Sequence, residues 1–394
     1  MRTKSEGGSV KVVHIMLCGP VTDGWSYQDN LLTKYHKKLG CDVTIITSQW
    51  VWGENGKLIK FEKSNYQNES NVKVIRLPIK GKDNFLRKFK CYEGVAEALG
   101  DEKPDILFIH GCQFIDMGVV VKYVKVHLGI KVYVDNHADF SNSGTNWLSK
   151  NILHKILWRR SAHMIEPYTI KFYGVLPARV DWLIDMYKLP KDKCELLVMG
   201  ADDDKVVEAK KPGIREAIRG RYGIKDDDFL IMTGGKIDPW KTQTLLLMKA
   251  VAKIKNPKVK LIVFGSITPD LKEQVYEICL EDKVQYIGWI NSDESYKYFG
   301  SADLVVFPGR HSVFWEQVAG MGIPMLCKYW EGTMHVDIGG NVKFLKEDSI
   351  REIEESINAL VENTFSYQIM LKVAQNEGKN QFSYKEIAKR SIEI

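Results

Sequence analysis

SADLVVFPGRHSVFWEQVAGMGIPMLC, running from Ser301 to Cys327, is the stretch that decides how this chain is read. Leu304 to Phe307 is a short apolar run of β type, stopped by Pro308-Gly309. Arg310, His311 and Ser312 form a polar crest. A helix is predicted from about Val313 to Met321, and Gly322 stands where a C′ glycine would end it. Pro324 to Cys327 then resumes a strand. Strand, polar loop, helix and strand make one unit of a parallel α/β sheet, in which ligands bind where strands end and helices begin.

Upstream the same alternation recurs. Phe229 to Met232 reads as a strand, TGGKIDPWK (Thr233 to Lys241) as a loop, and Thr242 to Ile254 as a long helix. Val259 to Phe264 is a strand closed by Gly265, Pro269 to Leu280 a helix, and Val284 to Ile287 a strand closed by Gly288. A short helix, Ser292 to Phe299, leads into the opening stretch. Downstream lie a Gly339-Gly340-Asn341 turn, a helix over Ser349 to Glu362 and a charged helical segment from Tyr367 to Ile394. Lys236 and Lys241 flank the glycine-containing loop, Lys241 at the start of its helix. Two ammonium groups with helix N–H groups would neutralise a leaving diphosphate. Against that stands the plain alternative of two surface lysines.

The first half begins with the buried strand VKVVHIML (Val10 to Leu17), a turn from Cys18 to Trp25 bracketed by glycines, and a helix capped by Ser26 and stopped at Gly40. Gly24 lies either in a ligand loop or in a tight strand-to-helix turn. The spacing is not G-x-G-x-x-G, and no acidic residue suitably ends the next strand, Asp42 to Thr47, which argues against a dinucleotide site. Two further buried strands, Asp105 to His110 and Lys131 to Val134, run into His110 and into DNHADF, which holds His137 and Asp139. His110 is balanced between a structural and a functional role; His137, among polar neighbours in a turn, favours function. A helix from Trp147 to Arg160, strands over His163 to Pro167 and Cys194 to Met199, and a solvated acidic turn at Asp202 to Asp204 complete this half. The charged stretch from Lys205 to Asp228 reads as a linker.

A length of 394 residues suits two α/β domains, and a 44% hydrophobic content suits chains that bury real cores. No run is long enough to span a membrane and no signal-peptide core leads the chain. Seven scattered cysteines without a C-x-x-C pair imply reduced thiols and a cytoplasmic protein. The net charge of +6 divides into about +9 before Cys194 and about −3 after it, so the first half is basic. Without a nucleic-acid module, that surplus points to an anionic substrate or membrane surface rather than to nucleic acid. Lys80 to Lys90 (KGKDNFLRKFK) reads as a solvated basic face or as an amphipathic element resting on anionic lipid.

Taken together, these motifs resemble glycosyltransferase family 4, the group 1 glycosyltransferases. Gly235-Lys236-Ile237-Asp238-Pro239-Trp240-Lys241-Thr242 resembles the family's G-R-x-x-x-x-K-G, with lysine for arginine and threonine for the last glycine. Met199-Gly200-Ala201-Asp202 is similar to its N-G-x-D, Gly288-Trp289-Ile290 to its base-binding loop, and Gln317 to Pro324 to its E-A-x-x-x-G-x-P helix. The resemblance implies an α/β protein of GT-B fold, two Rossmann-like domains facing across a cleft. Residues 1–199 would form the acceptor domain, residues 200–372 the donor domain, and a terminal helix over 373–394 would cross back. It implies a retaining, metal-independent transferase moving sugar from a nucleotide-sugar, UDP ahead of GDP, to a saccharide or polyprenyl-linked acceptor. The setting would be bacterial surface polysaccharide assembly, in the cytoplasm or peripherally at the inner face of the membrane.

By the same resemblance His137, Lys236 and Lys241 are catalytic. Gly24, Gly235, Gly288, Trp289, Ile290, His311, Ser312, Glu316 and Gln317 join the lysines around the nucleotide-sugar, and His110 and Asp139 lie on the acceptor side. The family's E-x7-E is incomplete: its second position falls on Gln317 with Glu316 beside it, and its first is missing, with His311 or Ser312 nearest. Adjacent helical residues point about 100° apart, so one of Glu316 and Gln317 would face the ribose. The rival readings are a nucleotide-sugar epimerase on the same fold and a non-catalytic binding protein.

Overall fold

The computed structural model describes residues 8–53, 56–81, 89–140, 142–240, 242–280 and 282–393. The chain divides into two units, Met1–Val198 with Ile387–Ile394, and Met199–Glu386. Residues 373–386 therefore stay with the second unit, and only 387–394 of the expected 373–394 helix returns to the first.

The first unit contains β1 (Lys11–Met16), β2 (Asp42–Ser48), β3 (Trp50–Trp52), β4 (Leu58–Lys60), β5 (Asn65–Gln67), β6 (Lys73–Leu77), β7 (Ile106–His110), β8 (Lys131–Asn136), β9 (Thr169–Gly174) and β10 (Cys194–Leu196). Its main sheet runs β10-β9-β8-β7-β1-β2-β6-β5, and β3 pairs with β4 in a separate antiparallel hairpin. Among the described residues, only β5 runs antiparallel in the main sheet. The central strands are buried along nearly their whole length because both faces are covered. Val13, Ile15, Leu107, Ile109, Val132 and Val134 share one core with Leu99, Val120 and Ala162 of the helices on that side. Alternation sends His14, Phe108, His110, Tyr133 and Asp135 to the opposite face, where the Gln28–Lys38 helix and residues 387–392 lie.

Two local expectations fail here. The helix after β1 starts at Gln28 behind Tyr27, which provides no side-chain cap, rather than at a capping Ser26. Residues 163–167 are helical, in Arg159–Ile165 and the turn after it, and the strand is Thr169–Gly174. Ser161, Ala162 and Ile165 are buried at helical spacing, which overrides the short apolar run.

The second unit holds β11 (Phe229–Gly234), β12 (Val259–Phe264), β13 (Val284–Tyr286), β14 (Leu304–Phe307), β15 (Met325–Lys328) and β16 (Val342–Leu345). They form one parallel sheet in the order β13-β12-β11-β14-β15-β16. The stretch from Ser301 to Cys327 folds as expected, into β14, the Phe314–Met321 helix and β15, with Gly322 ending the helix at φ +74°. From β11 the chain winds one way to β13, then restarts at β14 and winds the other way. The crevice at the carboxyl ends of β11 and β14 is the topological switch point, where such sheets bind ligands.

The charged stretch from Lys205 to Asp228 is not a linker. It contains the Asp203–Ala209 and Ile214–Arg221 helices. Arg219 is buried and donates to the carbonyls of Lys225 and Asp228 at 2.6 Å each and to Asp303 Oδ2 at 3.2 Å. Asp202, expected in a solvated turn, is buried and caps its helix by accepting from the N–H of Asp204. None of the described helices is long and apolar enough to cross a membrane. The Lys80 to Lys90 element falls largely on residues 82–88, outside the described residues.

Candidate functional site

At the switch point of the second unit lies an open cavity of about 130 Å³. Gly234 at the end of β11 with Gly235 and Lys236 after it, Pro308, Gly309 and Arg310 after β14, and Ser312 to Phe314 at the start of the helix line it. A second, adjoining cavity shares Gly235, Lys236, Phe264 and Phe314 and adds Gly265, Ser266, Trp289, Ile290 and Ser292. Lys236 thus borders both; its ammonium is half-exposed, 3.4 Å from Asp238 Oδ2. Lys241 lies outside the described residues. Arg310 is exposed on the same wall as Lys236, a second basic group at the cavity that sequence reasoning left in an unassigned crest.

The floor is backbone. Gly235 N–H donates to Phe264 O at 3.0 Å, and Gly265 N–H to Gly288 O at 2.8 Å. These bonds draw together the loops after β11, β12 and β13. A Cβ on Gly265 would lie 1.8 Å from the Gly235 carbonyl oxygen, so this contact exists only because position 265 has no side chain. Trp289, 71% exposed, presents a flat ring beside the second cavity, a surface on which a planar base could stack.

Glu316 and Gln317 do not line either cavity. Both are buried, and Glu316 Oε1 accepts from His311 Nε2 at 2.7 Å and His335 Nε2 at 2.8 Å. Burial pushes the Glu316 carboxyl pKa up, but the two imidazoles outweigh it and hold it at about 2. The expectation that Glu316 or His311 faces the ligand is therefore corrected: they bind one another, with His335 as a third member. Ser312, one residue on, does line the first cavity.

In the first unit His110 and His137 border a third cavity with Met16, Cys18, Gly19, Pro20, Val21 and Asp29. His110 sits at the end of β7, opposite Asp135 of β8 in register. Its Nδ1 lies 2.9 Å from Asp135 Oδ2 and 3.2 Å from Asp29 Oδ1, ionic contacts without a linear hydrogen bond. Burial lowers the His110 pKa, yet Asp135 and then Asp29 override it and lift it to about 10. Asp135 is itself buried, which raises its pKa, and the His110 charge reverses this to well below the usual carboxylate range. His137 Nε2 lies 3.4 Å from the same Asp135 oxygen, with 40% of its side chain exposed.

Two expected residues turn elsewhere. Asp139 is buried, accepts from Arg179 Nε at 3.0 Å and takes the N–H of Asn142, so it braces its own loop. Gly24 adopts φ +75°, and its N–H donates to Glu69 Oε1 at 3.0 Å, so Gly24 is held by a side chain and does not line the cavity that Cys18 to Val21 of the same loop border. Among the described residues, two trios bring ligand-type atoms within 4.8 Å: Asp29, His110 and His137, and His311, Glu316 and His335. In both, imidazole nitrogens already face carboxylate oxygens.

The residues missed in the sequence are His14, Asp29, His36, Asp135 and His335. His14 had left a signal, an imidazole inside an otherwise apolar strand. The others become neighbours only through the fold.

Residues 214–377 match the sequence profile described as glycosyl transferases group 1. They belong to that family. The group 1 domain thus covers most of the second unit, the two adjoining switch-point cavities included. Mannosylfructose-phosphate synthase of Agrobacterium fabrum is 24% identical over 62% of this chain and 59% of its own length. The alpha-monoglucosyldiacylglycerol synthase of Streptococcus pneumoniae is 24% identical over 78% of this chain and 72% of its own. The chain thus spans little more than half the length of the first of these relatives. Anabaena HepE, solved in complex with UDP, superposes with a TM-score of 0.66 at 15% identity, over 97% of this chain and 98% of that one. The fold around the group 1 domain is GT-B.

Proposed function

We propose that this protein is a glycosyltransferase that takes a nucleotide-sugar, a UDP-sugar ahead of others, on its second unit. The observation that carries the reading is the switch-point cavity, with a glycine backbone floor, Lys236 and Arg310 on its wall and the Phe314–Met321 helix opening onto it. A helix N-terminus and two cations suit a diphosphate and would stabilise it as it leaves. HepE's complex with UDP supports the choice of nucleotide. In this reading the basic groups do what a divalent ion does in other transferases. Departure and attack occur on one face of the sugar, retaining its configuration, with the diphosphate taking the acceptor's proton.

The first unit's cavity takes a saccharide or lipid-linked acceptor, and His137, its exposed imidazole, binds a sugar hydroxyl. The lipid product named for the pneumococcal relative, together with the basic first half, favours work at an anionic membrane surface. Surface polysaccharide assembly is the setting that fits. A thermal-shift series with UDP-, GDP-, ADP- and CDP-sugars tests the donor half. UDP-sugars should raise the midpoint, by the equivalent of about 2.7 kcal/mol at a hundredfold excess over Kd. Lys236→Ala should lower turnover roughly 10- to 100-fold. No shift with any nucleotide, or an undisturbed Lys236→Ala rate, sinks the proposal.

A further inference from the structure

Behind the first-unit cavity three buried imidazoles stand in line. His110 Nε2 lies 2.9 Å from His14 Nδ1, and His14 Nε2 lies 2.9 Å from His36 Nδ1. His36 Nε2 lies 3.0 Å from the Ala388 carbonyl oxygen and 2.9 Å from Ser391 Oγ, both in the returning segment. His14 and His36 are fully buried, and His110 shows only 5% of its surface.

The direction of this line follows from its far end. The Ala388 carbonyl can only accept, and the Ser391 hydroxyl already donates to that same oxygen at 2.8 Å. His36 Nε2 must therefore carry the proton. Burial without a carboxylate keeps His36 neutral, its pKa pushed down to about 4, so its Nδ1 accepts from His14 Nε2–H. His14, whose pKa burial and two imidazole neighbours hold well below the ordinary value, accepts in turn on Nδ1 from His110 Nε2–H. His110 Nδ1, facing Asp135 and Asp29, is protonated as well. Around it also stand Gln28, whose amide donates to Asp135 at 3.4 Å, the Cys18 thiol and His137.

We propose that His14 and His36 are positioning residues that hold His110 as a doubly protonated imidazolium, which anchors the Asp29 carboxylate on the cavity wall as the acceptor for a ligand hydroxyl. One cation between two carboxylates leaves the local balance negative, so the cavity suits a hydroxyl donor rather than a phosphate. The hydroxyl would be that of the sugar acceptor, and to that extent the inference rests on the transferase reading.

The test uses the full chain labelled with ¹⁵N-histidine, together with His36→Leu and His36→Gln. Glutamine can still donate to Ala388 and accept from His14; leucine can do neither. At pH 8 the wild type and His36→Gln should show both His110 ring nitrogens protonated, whereas His36→Leu should show a His110 that titrates below pH 8. UDP binding by thermal shift should be the same in all three. Turnover of the UDP-sugar should fall about tenfold in His36→Leu and recover in His36→Gln. A neutral His110 in the wild type at pH 8 overturns the proposal whatever the activity, as does full turnover in a folded His36→Leu whose His110 has lost its second proton. Should His36→Leu not fold, the wild-type and His36→Gln spectra decide alone. Absence of UDP binding in the wild type refutes the donor reading and leaves the histidine result standing.

Discussion

Gly265→Ala puts a methyl group where the loops after β11 and β12 touch, and its effect can be worked out from the geometry. The added Cβ would lie 1.8 Å from the Gly235 carbonyl oxygen, while real Cβ contacts stay beyond 3.0 Å. The Gly235 segment must therefore retreat by more than about 1 Å, since backbone cannot rotate away as a side chain does. Retreat breaks the 3.0 Å bond from Gly235 N–H to Phe264 O, worth about 1 kcal/mol. Residue 265 also sits at φ +131°, where alanine adds about 1–3 kcal/mol of strain. Together the second unit should lose about 2–4 kcal/mol, which lowers its Tm by roughly 5–15 °C at this size. Because Lys236 follows Gly235 directly, nucleotide binding should weaken by at least tenfold. Gly213→Ala is the control, with φ +83° but open space around its Cβ, so it carries backbone strain alone. Calorimetric unfolding and UDP titration of both variants are the assays. If Gly265→Ala melts and binds like Gly213→Ala, the close approach of the two loops does not shape the cavity.

Glu316→Gln removes a buried charge paired with two imidazoles and should cost about 3–5 kcal/mol in chemical denaturation. Because the folded pKa of Glu316 lies below its ordinary 4.5, its stabilisation is present above pH 4.5 and lost as pH falls towards 2; the variant should lack that slope. His110 has the opposite sign. Its folded pKa of about 10 exceeds the ordinary 6.5, so its contribution is complete below pH 6.5 and lost as pH rises towards 10. Wild-type Tm should decline across that window, and Asp135→Asn should flatten the decline. EDTA should leave turnover of a UDP-sugar unchanged if Lys236 and Arg310 neutralise the diphosphate; a loss restored by Mg²⁺ would reassign that role.

The parallel sheets were readable because strands buried on both faces are continuous apolar runs, as in Ile106–Ile109 and Leu304–Phe307, and glycine closes several of them. The switch-point cavity was readable for the same reason, since Gly235, Lys236 and Ser312 lie beside strand ends. Charge misled where it was buried. The Lys205 to Asp228 stretch looked like solvated linker because its pattern does not reveal that Arg219 turns inward onto carbonyl groups. Glu316 looked like a ribose ligand by its place in a motif, and only tertiary structure brings His335, nineteen residues on, against it. His14 and His36 are 22 residues apart, and their partners at 388 and 391 are more than 350 residues further along. No local pattern encodes such a pairing.

That last separation bears on how the protein is made. Domains ordinarily fold as they emerge from the ribosome, amino-terminal first. Here residues 387–394 leave the ribosome only after the whole second unit, and until they arrive the His36 ring has no acceptor at its Nε2. The first unit to be synthesised is thus the last to be finished. In the interval its sheet carries an uncovered polar face around His14, His36 and Tyr133, so a nascent chain stalled short of residue 387 would expose a surface open to chaperones.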